Sequence, residues 1–156
     1  MKEPSQTILL IEDYEDDVFA MERALAEANI TNPLQVVTDG QQALDYLSGA
    51  GQYANRAQYP LPFIMFLDLK LPFVDGFEIL AWVRQQAALK SIIVIVLTGS
   101  AESRDQDKAY ALGARSYLVK PPTSETLHGI LESLQSFWLS KANETPILLN
   151  DERGPQ

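Results

Sequence analysis

The chain contains no cysteine, and this absence excludes both a disulfide framework and thiol catalysis. Basic residues are also scarce, because 12 lysines and arginines stand against 21 aspartates and glutamates and leave a formal net charge of −9. Non-specific binding to nucleic acid requires a basic surface that neutralises phosphates. We therefore expect no nucleic-acid partner.

Long apolar runs are missing as well. No run approaches the roughly 20 apolar residues of a membrane span, and the first six residues lack the apolar core of a signal peptide. We predict a soluble, cytoplasmic protein that has no membrane contact. The length of 156 residues and the hydrophobic content of 46% are typical of one globular domain.

Short apolar runs alternate with stretches of helical spacing along most of the chain. The runs have the length of buried strands and occupy residues 7–11, 34–38, 63–67, 92–97 and 115–119. A helical pattern follows each of them, as in the last stretch with Leu127, Ile130, Leu131 and Leu134. This alternation predicts an α/β fold with a doubly wound, five-stranded parallel sheet and five helices.

Two segments do not fit the alternation. Residues 48–62 carry no clear period and are long for a connection inside a compact domain, so we interpret them as functional or mobile. We place the domain at residues 1–140 and a C-terminal tail at residues 141–156. The apolar residues 147–149 of the tail suggest that it docks on this chain or on a second copy, as a dimer arm.

Polar residues stand where the predicted strands end. Because parallel strands finish at one edge of a sheet, these groups are expected to converge there: Glu12, Asp13, Asp68, Thr98, Ser100 and Lys120. Asp68 taken alone also fits a residue that caps the following turn. Asp16 and Asp17 are most simply acidic charges that complement the start of the first helix.

The converging groups indicate a type of chemistry. Clustered carboxylates repel one another unless a cation balances them, and hard oxygen ligands suit Mg²⁺. A lysine and a hydroxyl donor beside such a site are suited to phosphoryl transfer, in which a carboxylate can be the covalent acceptor.

Several motifs in this order resemble those of bacterial response-regulator receiver domains. They are Glu12-Asp13, Asp68 with Leu71-Pro72 and Asp75-Gly76, Thr98-Gly99-Ser100, and Tyr117-Leu118-Val119-Lys120-Pro121. The similarity spans about residues 7–139 and implies a flavodoxin-like sheet with the strand order 2-1-3-4-5. The segment 48–62 and the tail also resemble the single-domain regulators that partner phytochrome-type histidine kinases.

The resemblance assigns a role to each matching residue. It implies that Asp68 is the phosphoacceptor and that Lys120, joined to Pro121 by a cis bond, pairs with the phosphoryl group. It implies a Mg²⁺ site made by the side chains of Asp13 and Asp68, the backbone carbonyl of Lys70, and Glu12 acting directly or through water. Thr98 and Tyr117 would form the switch pair.

The same resemblance implies a signalling protein rather than an enzyme. The phosphoryl donor would be a sensor histidine kinase or a histidine phosphotransfer protein, and the readout surface would be the fourth helix, fifth strand and fifth helix. A homodimer is a further expectation.

Other functions remain open at this point. An aspartyl-phosphate phosphohydrolase is one, although Lys70 stands where haloacid-dehalogenase-type enzymes place a second aspartate. A nucleotide or flavin module is another, but no phosphate-binding glycine motif occurs. A receiver-like module that binds partners without phosphorylation is the third. His128, the one histidine, is interpreted as a surface residue.

Overall fold

A computed structural model describes the backbone of residues 6–142 and the side chains of residues 6–134. Five strands alternate with five helices, in agreement with the sequence pattern. The elements are β1 (Ile8–Ile11), α1 (Glu15–Glu27), β2 (Leu34–Val37), α2 (Gly40–Ser48), β3 (Ile64–Leu67), α3 (Gly76–Gln85), β4 (Ile93–Thr98), α4 (Ser103–Ala111), β5 (Ser116–Val119) and α5 (Ser124–Ala142). Of the predicted tail at residues 141–156, the first two residues belong to α5, and residues 143–156 lie outside the described part of the chain.

The strands form one parallel sheet in the order β2-β1-β3-β4-β5, so the predicted fold class and strand order are confirmed. The first and third strands are neighbours, with Ile8 opposite Ile64 and Ile11 opposite Leu67. The residues that follow them, Glu12 and Asp68, therefore emerge side by side at the carboxyl edge of the sheet.

Each face of the sheet has its own apolar core because side chains alternate along a strand. Ile8 and Leu10 point to the face covered by α1 and α5, where they meet Met21 and Leu127. Leu9 and Ile11 point to the opposite face, which α2 and α3 cover with residues such as Tyr46 and Ile79. Burial on both faces explains the continuous apolar runs of β1, β3 and β4, whereas the edge strands β2 and β5 are partly exposed and include Gln35 and Ser116.

The connection from α2 to β3 is folded onto the domain. The Arg56 guanidinium donates hydrogen bonds to the backbone carbonyls of Tyr46, Leu47 and Tyr59 at 2.7, 2.9 and 3.0 Å. Two of these carbonyls lie at the end of α2, where helix carbonyls have no partner within the helix. The rings of Tyr46, Tyr53 and Tyr59 pack together with centroids 5.0–5.9 Å apart. The segment thus has an ordered structure that no sequence period indicated.

Candidate functional site

Acidic side chains meet at the carboxyl edge of β1 and β3. Glu12 and Asp68 are only 1% and 6% exposed, whereas Asp13 is exposed. The Asp68 N–H donates to the Ile11 carbonyl at 3.2 Å, which continues the ladder of parallel strands by one residue. One carboxylate oxygen from each of Glu12, Asp13 and Asp68 lies within 4.8 Å of the other two. The structure thus brings together three of the predicted site residues.

Lys120 enters this cluster from the end of β5. Its ammonium nitrogen lies 2.7 Å from Glu12 Oε1, 3.0 Å from Asp68 Oδ2 and 2.7 Å from Asp17 Oδ2. The ammonium donates hydrogen bonds to Asp17 and Asp68 and forms an ion pair with Glu12. Burial opposes the charge on Lys120, but the three carboxylates outweigh burial and raise its pKa above the usual value. The Lys120–Pro121 bond is cis.

Asp17 is the site residue that the sequence interpretation missed. Asp16 and Asp17 share the first turn of α1, and both were interpreted as helix-start charges. Asp16 is exposed and accepts a hydrogen bond from the Tyr14 hydroxyl at 3.1 Å, but Asp17 turns to Lys120. Side chains tilt toward the N-terminus of their helix, and α1 begins at the carboxyl edge of the sheet. That tilt is the signal that could have pointed to Asp17.

The surroundings of Glu12 disfavour the charged form of its carboxylate. Burial raises its pKa to about 7, and the nearby charge of Asp68 adds to the rise while Lys120 opposes it. A divalent cation held by Glu12, Asp13 and Asp68 would stabilise the charged carboxylates. These three side chains offer carboxylate oxygens, which suit Mg²⁺. The residues present therefore fit the predicted metal.

A cavity of about 430 Å³ opens beside Asp68 and Lys120. Lys70 lines it, and the Lys70 N–H donates to Asp68 Oδ1 at 3.2 Å. Thr98, the last residue of β4, also lines the cavity and is only 1% exposed. Its hydroxyl oxygen is buried and has no hydrogen-bond partner among the described residues. The site therefore contains an unused hydroxyl donor close to the buried carboxylate.

Tyr117 lies on β5 but does not line this cavity. Its hydroxyl donates to the backbone carbonyl of Ser100 at 2.8 Å, and the Ser100 hydroxyl donates to Asp105 Oδ2 at 2.6 Å. Burial raises the pKa of Tyr117. The tyrosine is therefore tied to the loop between β4 and α4, and its partner in the sheet, Val96, lies two residues before Thr98.

The loop from β3 to α3 folds back closely over the site. The Gly76 N–H donates to the Leu69 carbonyl at 2.9 Å, and a Cβ placed on Gly76 would lie 2.4 Å from the Asp68 carbonyl oxygen. Asp75 begins α3 with a capping box shared with Glu78. The Asp75-Gly76 motif is thus explained by a close backbone approach followed by a helix start.

The family of response regulator receiver domains matches residues 8–132. The chain belongs to this family. As a receiver domain it has its place in two-component signalling. Among residues 6–142, no helix combines the length and apolar character that a membrane crossing needs.

Three relatives are similar to this receiver domain over most of their length. The response regulator Rcp1 from Synechocystis sp. is 36% identical over 136 residues, which cover 87% of this chain and 90% of Rcp1. The Mn²⁺-bound structure of Rcp1 matches with a TM-score of 0.70, over 86% of this chain and 94% of the other.

Two further relatives are response regulators of phytochromes. The phosphorylated cyanobacterial phytochrome response regulator RcpA has 34% identity, a TM-score of 0.71, and coverage of 88% and 96% of the two chains. The bacteriophytochrome response regulator AtBRR has 38% identity, a TM-score of 0.76, and coverage of 87% and 96%.

Proposed function

We propose that this receiver domain accepts a phosphoryl group on the carboxylate of Asp68 and signals through the resulting change in its surface. The observation that carries the proposal is the 3.0 Å contact between the nearly buried Asp68 carboxylate and the Lys120 ammonium, beside an open cavity. The phosphorylated state described for RcpA supports the same chemistry here.

The transfer begins with a phosphohistidine of a partner kinase or phosphotransfer protein. An Asp68 oxygen attacks phosphorus, a P–O bond forms, and the P–N bond to the imidazole breaks. The imidazole nitrogen keeps the electron pair and takes a proton from solvent. Lys120 then neutralises charge on the phosphoryl oxygens, as lysines do in other phosphoryl-transfer sites.

Glu12, Asp13, Asp68 and the backbone carbonyl of Lys70 would hold Mg²⁺. When bound, the metal supplies positive charge that offsets the negative charge of the phosphoryl group. The Mn²⁺-bound state described for Rcp1 supports a divalent-cation site in this chain as well.

Phosphorylation would act on a switch made by Thr98 and Tyr117. An aspartyl phosphate adds about −1.5 to −2 of charge and new acceptor oxygens, and the unpartnered Thr98 hydroxyl can donate to one of them. Tyr117 would then exchange its contact with Ser100 for a position nearer to Thr98. The change would be read on the face formed by α4, β5 and α5.

The partner that fits best is a phytochrome-type histidine kinase. The similarity to RcpA and AtBRR over nearly their whole length supports this partner class. A homodimer is part of the same proposal, and autodephosphorylation is the one hydrolytic activity that it includes.

Incubation with acetyl phosphate and Mg²⁺ tests the proposed acceptor. Intact-protein mass spectrometry should show a gain of one phosphoryl group that is sensitive to hydroxylamine and absent in Asp68→Ala. Asp107→Ala, which removes an exposed aspartate from α4, should keep the full gain. An unchanged mass gain in Asp68→Ala would refute the assignment, and steady turnover of phosphate esters would favour a phosphohydrolase instead.

A further inference from the structure

Asp17 is a third carboxylate partner of Lys120 that none of the predicted roles includes. Its Oδ2 atom lies 2.7 Å from the Lys120 ammonium, closer than the 3.0 Å of Asp68 Oδ2. Asp17 is not one of the three carboxylates that could share a cation, but it lines the same cavity as Asp68. The side chain thus lies on the wall of the cavity that a phosphoryl donor would enter.

We propose that Asp17 is a positioning residue that competes for the Lys120 ammonium and thereby slows phosphoryl transfer to Asp68. This proposal rests on the proposed function, because it concerns the rate at which Asp68 is phosphorylated. In this role, Asp17 limits the phosphorylation of Asp68 by small phosphoryl donors.

The competition follows from the number of donors on the ammonium. Three carboxylates lie within 3.0 Å of the ammonium in the unphosphorylated protein, so a phosphoryl oxygen can be bound closely only if one of them moves away. Glu12 has a side chain that is only 2% exposed, so water cannot readily replace the lysine there. The Asp17 side chain is 33% exposed, so water can replace the lysine there. Breaking the Lys120–Asp17 ion pair therefore costs less free energy than breaking the Lys120–Glu12 pair.

The negative charge of Asp17 also slows phosphoryl transfer to Asp68. Phosphoryl donors are anions, and a carboxylate on the wall of the cavity repels them as they enter. Neutralising Asp17 should thus both free the lysine and lower the repulsion. Both effects predict faster phosphorylation, whereas a purely structural role for the Asp17–Lys120 pair predicts a slower reaction when the pair is broken.

The kinetic test compares Asp17→Asn with Asp16→Asn. The two variants lose the same charge from the same helical turn, but Asp16 contacts Tyr14 and not Lys120. With acetyl phosphate and Mg²⁺, the Asp68 oxygen forms a bond to phosphorus while acetate leaves with the electron pair of the broken P–O bond. We expect the initial rate to rise about two- to fivefold in Asp17→Asn, the range that an ion pair with a partly exposed partner supports. Asp16→Asn should stay close to wild type.

A binding measurement gives a readout that does not depend on turnover. Beryllofluoride with Mg²⁺ mimics a bound phosphoryl group, and Asp17→Asn should bind it with a Kd lowered by the same factor of about two to five. The Lys120 ¹⁵Nζ resonance should show faster exchange of its protons with water in the unliganded variant. Asp17→Ser is a second variant with the same expected changes, and thermal unfolding checks that both are folded.

The outcomes separate the two proposals. If wild type is phosphorylated on Asp68 but Asp17→Asn reacts at the same rate or more slowly, the role of Asp17 is refuted and the acceptor assignment stands. An equal acceleration in Asp16→Asn would also refute it, because charge alone would then explain the effect. If wild type gains no phosphoryl group at all, the proposed function fails and the role of Asp17 fails with it. If both Asp17 variants are unfolded, the residue is structural and the proposal is overturned.

Discussion

Glu12 is the residue in which burial and charge conflict most directly. Folding raises its pKa from the usual 4.5 to about 7. The folded protein then binds more protons than the unfolded chain between these values, so the contribution of Glu12 to stability falls as pH rises through this window. The sign is opposite to that of a carboxylate whose pKa is lowered by folding.

A pH series in metal-free buffer can measure this effect. We expect the free energy of unfolding, followed by urea denaturation, to fall less steeply from about pH 4.5 to about pH 7 in Glu12→Gln than in wild type. Glu15→Gln removes an exposed glutamate from the start of α1 and should keep the wild-type slope. Equal slopes in all three proteins would mean that Glu12 does not titrate as described.

Thr98 presents a second conflict, because its buried hydroxyl has no partner among the described residues. An unsatisfied buried polar group costs roughly 1–3 kcal/mol. Thr98→Val should therefore raise the free energy of unfolding of the unphosphorylated protein by about 1 kcal/mol and weaken beryllofluoride binding.

The matched control is Thr38→Val, in which the lost hydroxyl is exposed and hydrogen-bonded to Gln42. That variant should gain no stability and should bind beryllofluoride as wild type does. Destabilisation of Thr98→Val would indicate that its hydroxyl is satisfied in the unphosphorylated protein.

At the scale of elements, the loop from β3 to α3 depends on one glycine. A Cβ on Gly76 would meet the Asp68 carbonyl oxygen at 2.4 Å, so the loop would have to move away from the site. Gly76→Ala should lose about 1–3 kcal/mol of stability in chemical denaturation, as overpacked positions do, and should also lose phosphorylation.

Gly129 on α5 provides the opposite case. A Cβ there would meet no atom within 4 Å, and alanine is favoured over glycine inside a helix. Gly129→Ala should therefore gain about 0.5–1 kcal/mol. If both variants lost stability equally, the close approach at Gly76 would not be the cause.

The inner strands could be predicted closely because burial on both faces leaves a continuous apolar run with a polar residue at its end. Asp68 was singled out for this reason, whereas Lys120 follows the partly exposed edge strand β5 and was singled out by its position after the fifth predicted strand. Asp17 was missed because a first-turn aspartate already has a local explanation, and the tilt of helical side chains toward the helix start applies to Asp16 as well. Arg56 was missed because its partners are backbone carbonyls, which leave no trace in residue identity.

At the scale of the whole molecule, a net charge of −9 is combined with a buried acidic cluster. A ligand that binds only the folded state stabilises it by about 2.7 kcal/mol at a concentration one hundred times its Kd. Mg²⁺ should therefore raise the Tm of wild type and of Asp16→Asn in thermal unfolding. The rise should be lost in Asp13→Asn, because that variant lacks a proposed ligand. A rise of the same size in Asp13→Asn would point to general screening of negative charge.

The place of β5 as the last strand to be synthesised also matters while the chain is being made. Asp68 leaves the ribosome 52 residues ahead of Lys120, and at roughly 5–20 residues per second this is an interval of about 3–10 s. During that time the nascent chain carries its acidic residues without the lysine that later joins them. Until the residue after the fifth strand is translated, dissolved cations and the basic residues made earlier are the positive charges available to these carboxylates.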